Sequence, residues 1–175
     1  MLKERHHKGT DPNLRWFHPQ PDERYHELQL PDGEKLASIR WLSGHETLAN
    51  GQWGADIWGF RRYGFLHPKI TINPTEGTGP SGRFEPNMSG GGILQLKDGQ
   101  EFRLFGNFWR GEWRWADAAG HDVLEFKRDF AVMEKNEGHL TWLSDETLPV
   151  ISHLLILLGW YVVILMAEDA AHPPE

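Results

Sequence analysis

From Tyr25 onward the chain is written in short stretches that alternate between apolar and polar residues with a period of two. That period is how a strand with one buried and one wet face reads. The stretch from Trp109 to Ala116 is the plainest case, with Trp109, Gly111, Trp113 and Trp115 on one face and Arg110, Glu112 and Arg114 on the other. We expect Trp109, Trp113, Trp115, Leu124 and Phe126 to point into a core, and Arg110, Glu112, Arg114 and Lys127 to point to water.

Turn chemistry sets the expected pairing. Pro31-Asp32-Gly33 and Lys97-Asp98-Gly99 suit three-residue hairpin loops with glycine in the left-handed position, which places Leu28 opposite Leu36 and Leu94 opposite Phe102. A four-residue loop over Asp117 to Gly120 would bring Trp113 opposite Leu124 and Gly111 opposite Phe126. The two Asp-Gly hairpins also echo each other, Leu28-Gln29-Leu30-Pro31-Asp32-Gly33 against Leu94-Gln95-Leu96-Lys97-Asp98-Gly99. Duplication of a half-barrel and independent use of one turn solution both account for that echo. Asn73 to Gly92, dense in glycine and carrying Pro74, Pro80 and Pro86, is expected to be a long loop.

Leu148 to Ala167 breaks the pattern. It is apolar all round, interrupted only by Pro149, Ser152, His153 and Gly159, and long enough for a helix of ~30 Å. Pro149 suits the first turn, Ser144 or Thr147 can cap it, and Asp145 and Glu146 complement the helix dipole. A helix with no polar face is enclosed by protein or inserted in lipid. No Lys or Arg follows Lys135 and the segment runs into Glu168-Asp169, which favours enclosure over a tail anchor. Gly159 is expected where a bulky barrel residue, such as a tryptophan, approaches the helix backbone.

These features together, short strands joined by Asp-Gly and Ala-Gly turns (Leu96-Lys97-Asp98-Gly99; Trp115-Ala116-Asp117-Ala118-Ala119-Gly120) and one terminal apolar helix (Leu154 to Met166), resemble the tubby-like barrels. That superfamily includes tubby C-terminal domains, phospholipid scramblases and plant LURP-one-related proteins. The resemblance covers about residues 24 to 170. It implies a mainly β fold: a closed antiparallel β-barrel of about twelve strands enclosing one apolar C-terminal helix at about 146–168. Residues 1–23 would be a flexible arm and 171–175 a tail. Tubby domains bind phosphoinositides through basic residues and scramblases carry a calcium-binding segment, but neither residue set maps onto this chain. Asp117 to Asp122 lacks the alternating oxygen ligands of a calcium loop.

The 175 residues fit one domain. With 18 Lys and Arg against 25 Asp and Glu, the net charge of −7 argues against nucleic acid as a partner. The absence of cysteine excludes disulfides and thiolate chemistry and agrees with a cytoplasmic setting. The polar stretch Met1 to Gln20 does not resemble a signal peptide.

Candidate chemistry is sparse. Gly77, Gly79 and Gly82 match G-x-G-x-x-G, but Arg83-Phe84-Glu85-Pro86 does not begin the helix that a phosphate site requires. The ten histidines show no metal-ligand spacing. His153, inside the apolar helix, needs a partner or an exit to solvent. No G-x-S-x-G elbow is present, and Glu112 and Glu125 fall on the outward face. The contact surface we expect is therefore Arg61, Arg62, Gly77, Gly79, Gly82 and Arg83, where backbone N–H groups beside guanidinium forks suit an anion. No cofactor and no metal are expected.

The function expected is that of a non-enzymatic binding or scaffold module that recognises a lipid headgroup or a protein partner at its loops. Gly51-Gln52-Trp53 is similar to the lipocalin G-x-W signature, so a small-ligand carrier or an enzyme with an open apolar barrel is the alternative. A tail-anchored protein inserted through Leu148 to Ala167 is the third.

Overall fold

A computed structural model describes residues 13–129, 137–143 and 149–172. The strands are β1 (Leu14–Phe17), β2 (Tyr25–Gln29), β3 (Lys35–Trp41), β4 (Ala49–Trp53), β5 (Asp56–Tyr63), β6 (Lys69–Glu76), β7 (Gly82–Pro86), β8 (Gly92–Leu96), β9 (Glu101–Asn107), β10 (Glu112–Asp117), β11 (Asp122–Arg128) and β12 (Gly138–Trp142). Each pairs antiparallel with its neighbours in the chain, and β1 closes the ring against β12. Closure leaves no strand edge exposed.

The helix α1 (Pro149–Ala171) fills the barrel. Pro149 is its first residue, where a missing N–H does no harm. Ser144, Asp145, Glu146 and Thr147 lie outside the described residues. Every residue from Leu154 to Leu165 is buried; the helix is long and apolar enough to cross a membrane, yet 83% of its apolar window lies inside the barrel. The wall meets it with aromatic rings, and two of the indoles at this contact have hydrogen-bond partners. Trp115 Nε1 donates to the Leu155 carbonyl at 2.8 Å, and Trp160 Nε1 donates to His26 Nδ1 at 3.3 Å. Trp16 stacks on Trp160 and Trp41 on Tyr161, with centroids 5.5 and 5.7 Å apart. At Gly159 a β-carbon would run into the Phe126 ring and the Trp115 indole, so glycine there is what lets β10 and β11 close on the helix. The close approach of a tryptophan expected at this position is present.

The inward set Trp113, Trp115, Leu124 and Phe126 is buried, and Leu94 faces Phe102. Two registers differ from expectation because bulges intervene. Gln29 pairs with Lys35 but Leu28 with Ala37, leaving Leu36 as the extra residue. On β11 the extra residue is Val123: Trp115 faces Leu124 and Trp113 faces Phe126. The turn there is a three-residue loop closed by Asp117 N to His121 O at 2.9 Å. The second bulge turns Val123 and Leu124 both inward, which strict alternation forbids.

Three further expectations are corrected. The segment expected as an arm holds β1, whose Leu14 and Trp16 are buried and whose pairing completes the ring. The expected long loop from Asn73 to Gly92 is half strand, with connections only at 77–81 and 87–91. Pro74 is accommodated opposite Trp58 beside a bulge, the place where a strand tolerates a missing donor. Trp109 does not face the core. The run to which it belongs is cut by a turn over residues 108–111, with Gly111 at φ 66°, and its side chain is 90% exposed.

Candidate functional site

In a closed meander successive turns alternate between the two ends of the barrel. The turns after β2, β4, β6, β8 and β10 surround the start of α1; this end is the N-rim. Those after β1, β3, β5, β7 and β9 surround its end, the C-rim.

The site residues expected from the sequence are divided between these places. Gly77 and Gly79 belong to the N-rim, where Asp56 Oδ1 accepts from Thr78 N at 3.0 Å and Trp58 Nε1 donates to Pro80 O at 3.1 Å. A β-carbon on Gly77 would strike Asp56, and one on Gly79 would strike the Trp58 indole. These glycines let the turn lie flat on Trp58, and Thr78 N is already committed to Asp56. Gly82 pairs within the sheet with Ile72 and Leu96. Arg62 points into the C-rim and makes a two-pronged pair with Asp169, at 2.6 and 3.0 Å. Those hydrogen bonds raise its pKa above the ordinary arginine value.

Arg61 and Arg83 are brought together. Both are exposed and both flank Thr71, their Cα partner on the strand between them. Arg83 also contacts Glu85 at 3.2 Å, whereas Arg61 has no ion pair among the described residues. Next to Arg83 a surface cleft of about 290 Å³ is lined by Asn73, Gln95 and Lys97. Among the described residues no group of three His, Cys, Asp or Glu side chains could hold a metal.

His153 emerges at the N-rim and stacks on Trp53, with centroids 4.0 Å apart. Burial lowers its pKa to about 4, against a smaller opposing effect of Asp56.

The C-rim has two halves. In one, α1 is clasped: Arg24 donates to both carboxylate oxygens of Glu168, at 3.2 and 2.7 Å, and the Tyr161 hydroxyl donates to Thr47 O. Beside this clasp a polar cleft of about 630 Å³ lies between the turns after β1 and β3 and is lined by Asp22, Arg24, Arg40, Trp41, His45 and Glu46. The other half carries the turns after β5, β7 and β9. Their tips are Phe65 at 95%, Leu66 at 81%, Met88 at 106% and Trp109 at 90% exposure.

Local bonding holds these tips outward. Asn87 Oδ1 accepts from Ser89 N, Ser89 Oγ and Gly91 N at 3.0, 2.8 and 3.0 Å. Trp113 Nε1 ties Gly90 O to the wall at 3.0 Å, and Asn107 Oδ1 accepts from Arg110 N at 3.2 Å. Gly64, at φ 87°, reverses the chain ahead of Phe65. Sequence reasoning missed this cluster because period two assigned Trp109 to the core. The available signal was Gly64-Phe65-Leu66-His67-Pro68, two bulky apolar residues inside a turn framed by glycine and proline.

Comparison with known proteins gave no match to any family model, curated protein or solved structure.

Proposed function

We propose that the protein is a non-enzymatic binding module, a barrel of tubby-like type that takes its ligand on the outside, at its loops, as a lipid headgroup or the face of a protein partner. The observation that carries this reading is the filling of the interior. A carrier needs a hollow of several hundred cubic ångströms, and here the side chains of Leu154 to Leu165 and of Trp115, Trp16 and Phe126 occupy that space. The side chains left for recognition are outside: Arg61 and Arg83 on the wall, and the apolar tips of the C-rim.

Native mass spectrometry and titration with a fluorescent fatty acid separate this reading from carriage. We expect no co-purifying apolar ligand and no saturable one-to-one site. Stoichiometric uptake with energy transfer from the buried tryptophans would overturn the outer-surface reading.

A further inference from the structure

Among the described residues, the four most exposed large apolar side chains are not scattered. Phe65, Leu66, Met88 and Trp109 occupy the tips of three turns that neighbour one another on the C-rim, each more than four-fifths exposed. Scattered single apolar residues are ordinary, whereas a co-located set marks a contact surface. The tips belong to three separate turns, so a flat protein face would meet them only at points. A soft, deformable apolar phase would take all of them at once.

Charge agrees. Residues 63–68, 87–91 and 108–111 contain no Asp or Glu in a chain of net charge −7. Arg61 and Arg110 border the tips, exposed and without ion pairs among the described residues. Of the described acids at this end, Asp22, Glu23 and Glu46 lie in its other half, and Glu168, Asp169 and Asp129 are paired with Arg24, Arg62 and Arg15. Phenylalanine, leucine and tryptophan with flanking arginine is the composition of a segment that rests in the boundary between headgroups and acyl chains.

We infer that this half of the C-rim docks on an anionic lipid bilayer by inserting Phe65, Leu66, Met88 and Trp109 into its interface. The inference rests on the outer-surface reading above and names the partner. Insertion is shallow and reversible, because four side chains on rigid turns reach only the headgroup boundary.

The test is co-sedimentation with phosphatidylcholine vesicles with and without phosphatidylserine, using the full chain. Binding to the anionic vesicles is expected, falling roughly threefold to tenfold as salt rises from about 0.1 M to about 0.5 M. The combined variant Phe65→Ser, Leu66→Ser, Met88→Ser and Trp109→Ser should lose at least about tenfold in affinity with an unchanged melt, because all four side chains are exposed and Trp109 meets only the edge of Phe108. Brominated acyl chains should quench tryptophan emission in the unaltered protein, and Trp109→Phe should abolish that quenching while binding persists. No vesicle binding, undiminished binding of the serine variant, or displacement by soluble glycerophosphoserine would each overturn the proposal. So would a dimer, seen by sedimentation, that the serine variant dissolves. Any of these without a ligand bound inside the barrel leaves the outer-surface reading standing, and a stoichiometric interior site would overturn that reading instead.

Discussion

The two rims of the barrel are built from the same hairpin plan and expose different side chains. At the N-rim the turns are short and polar, with Asp32, Asp98 and Asp117 accepting from the backbone N–H groups of Glu34, Gln100 and His121 at 2.9, 3.0 and 2.8 Å. Where a glycine run occurs there, it is pressed onto Trp58. At the C-rim the turns are just as well bonded, through Asn87 and Asn107, yet the bonding serves to push large apolar residues into solvent. Loop order alone therefore says nothing about purpose. A turn whose hydrogen bonds bury its side chains is there for the fold, and one whose hydrogen bonds expose them is available for a partner.

The contrast is sharpest between two tryptophans of one apparent strand. Trp115→Ala should cost about 3–5 kcal/mol by opening a cavity beside α1 and stranding the Leu155 carbonyl, read as a fall in the denaturant midpoint. Trp109→Ala should leave stability within about 0.5 kcal/mol. A comparable loss from both would mean that the turn after β9 is part of the core.

At the turns themselves, Gly79→Leu should destabilise by about 1–3 kcal/mol, because its β-carbon would lie 2.7 Å from Trp58 Nε1. Met88→Ser should be neutral within about 0.5 kcal/mol in thermal or urea melts. Equal tolerance at the two positions would erase the distinction between the rims.

The smallest effect concerns pH at the N-rim. His153 has its folded pKa lowered from 6.5 to about 4, so between those values the unfolded chain binds more protons and stability falls as pH falls. Discounted for the partial exposure of the ring, the loss from pH 7 to pH 4 is about 1–2 kcal/mol. His153→Phe keeps the stacking on Trp53 and should flatten that part of the pH profile. A profile identical to that of the unaltered protein would show that other groups govern it.

Much of the architecture was legible because it rests on local rules. Alternation of period two, Asp-Gly turns and one all-apolar helix imply an antiparallel wall with something to enclose, and Gly159 stood out as a position where wall and helix must touch. The candidate site was less legible. Arg61 and Arg62 are adjacent in sequence, yet the pleat sends Arg61 to the outer wall and Arg62 to Asp169. Gly77 and Gly79 belong to the opposite rim from Arg62. Proximity in the chain was mistaken for proximity in space.

By itself, the sequence determined that the wall is antiparallel β, that its terminal helix has no polar face, and that Gly33 and Gly99 occupy left-handed turn positions. Each of these follows from interactions within a few residues, where period, backbone preference and turn chemistry act directly. Only the tertiary structure decided where strands stop, which bulges shift the register, that Leu14 to Phe17 closes the ring, and that Trp109 faces water while Trp115 faces the helix. Those outcomes depend on fitting one ring of strands around one helix. Closure fixes how long every strand can be and so on which side of a turn each bulky residue falls.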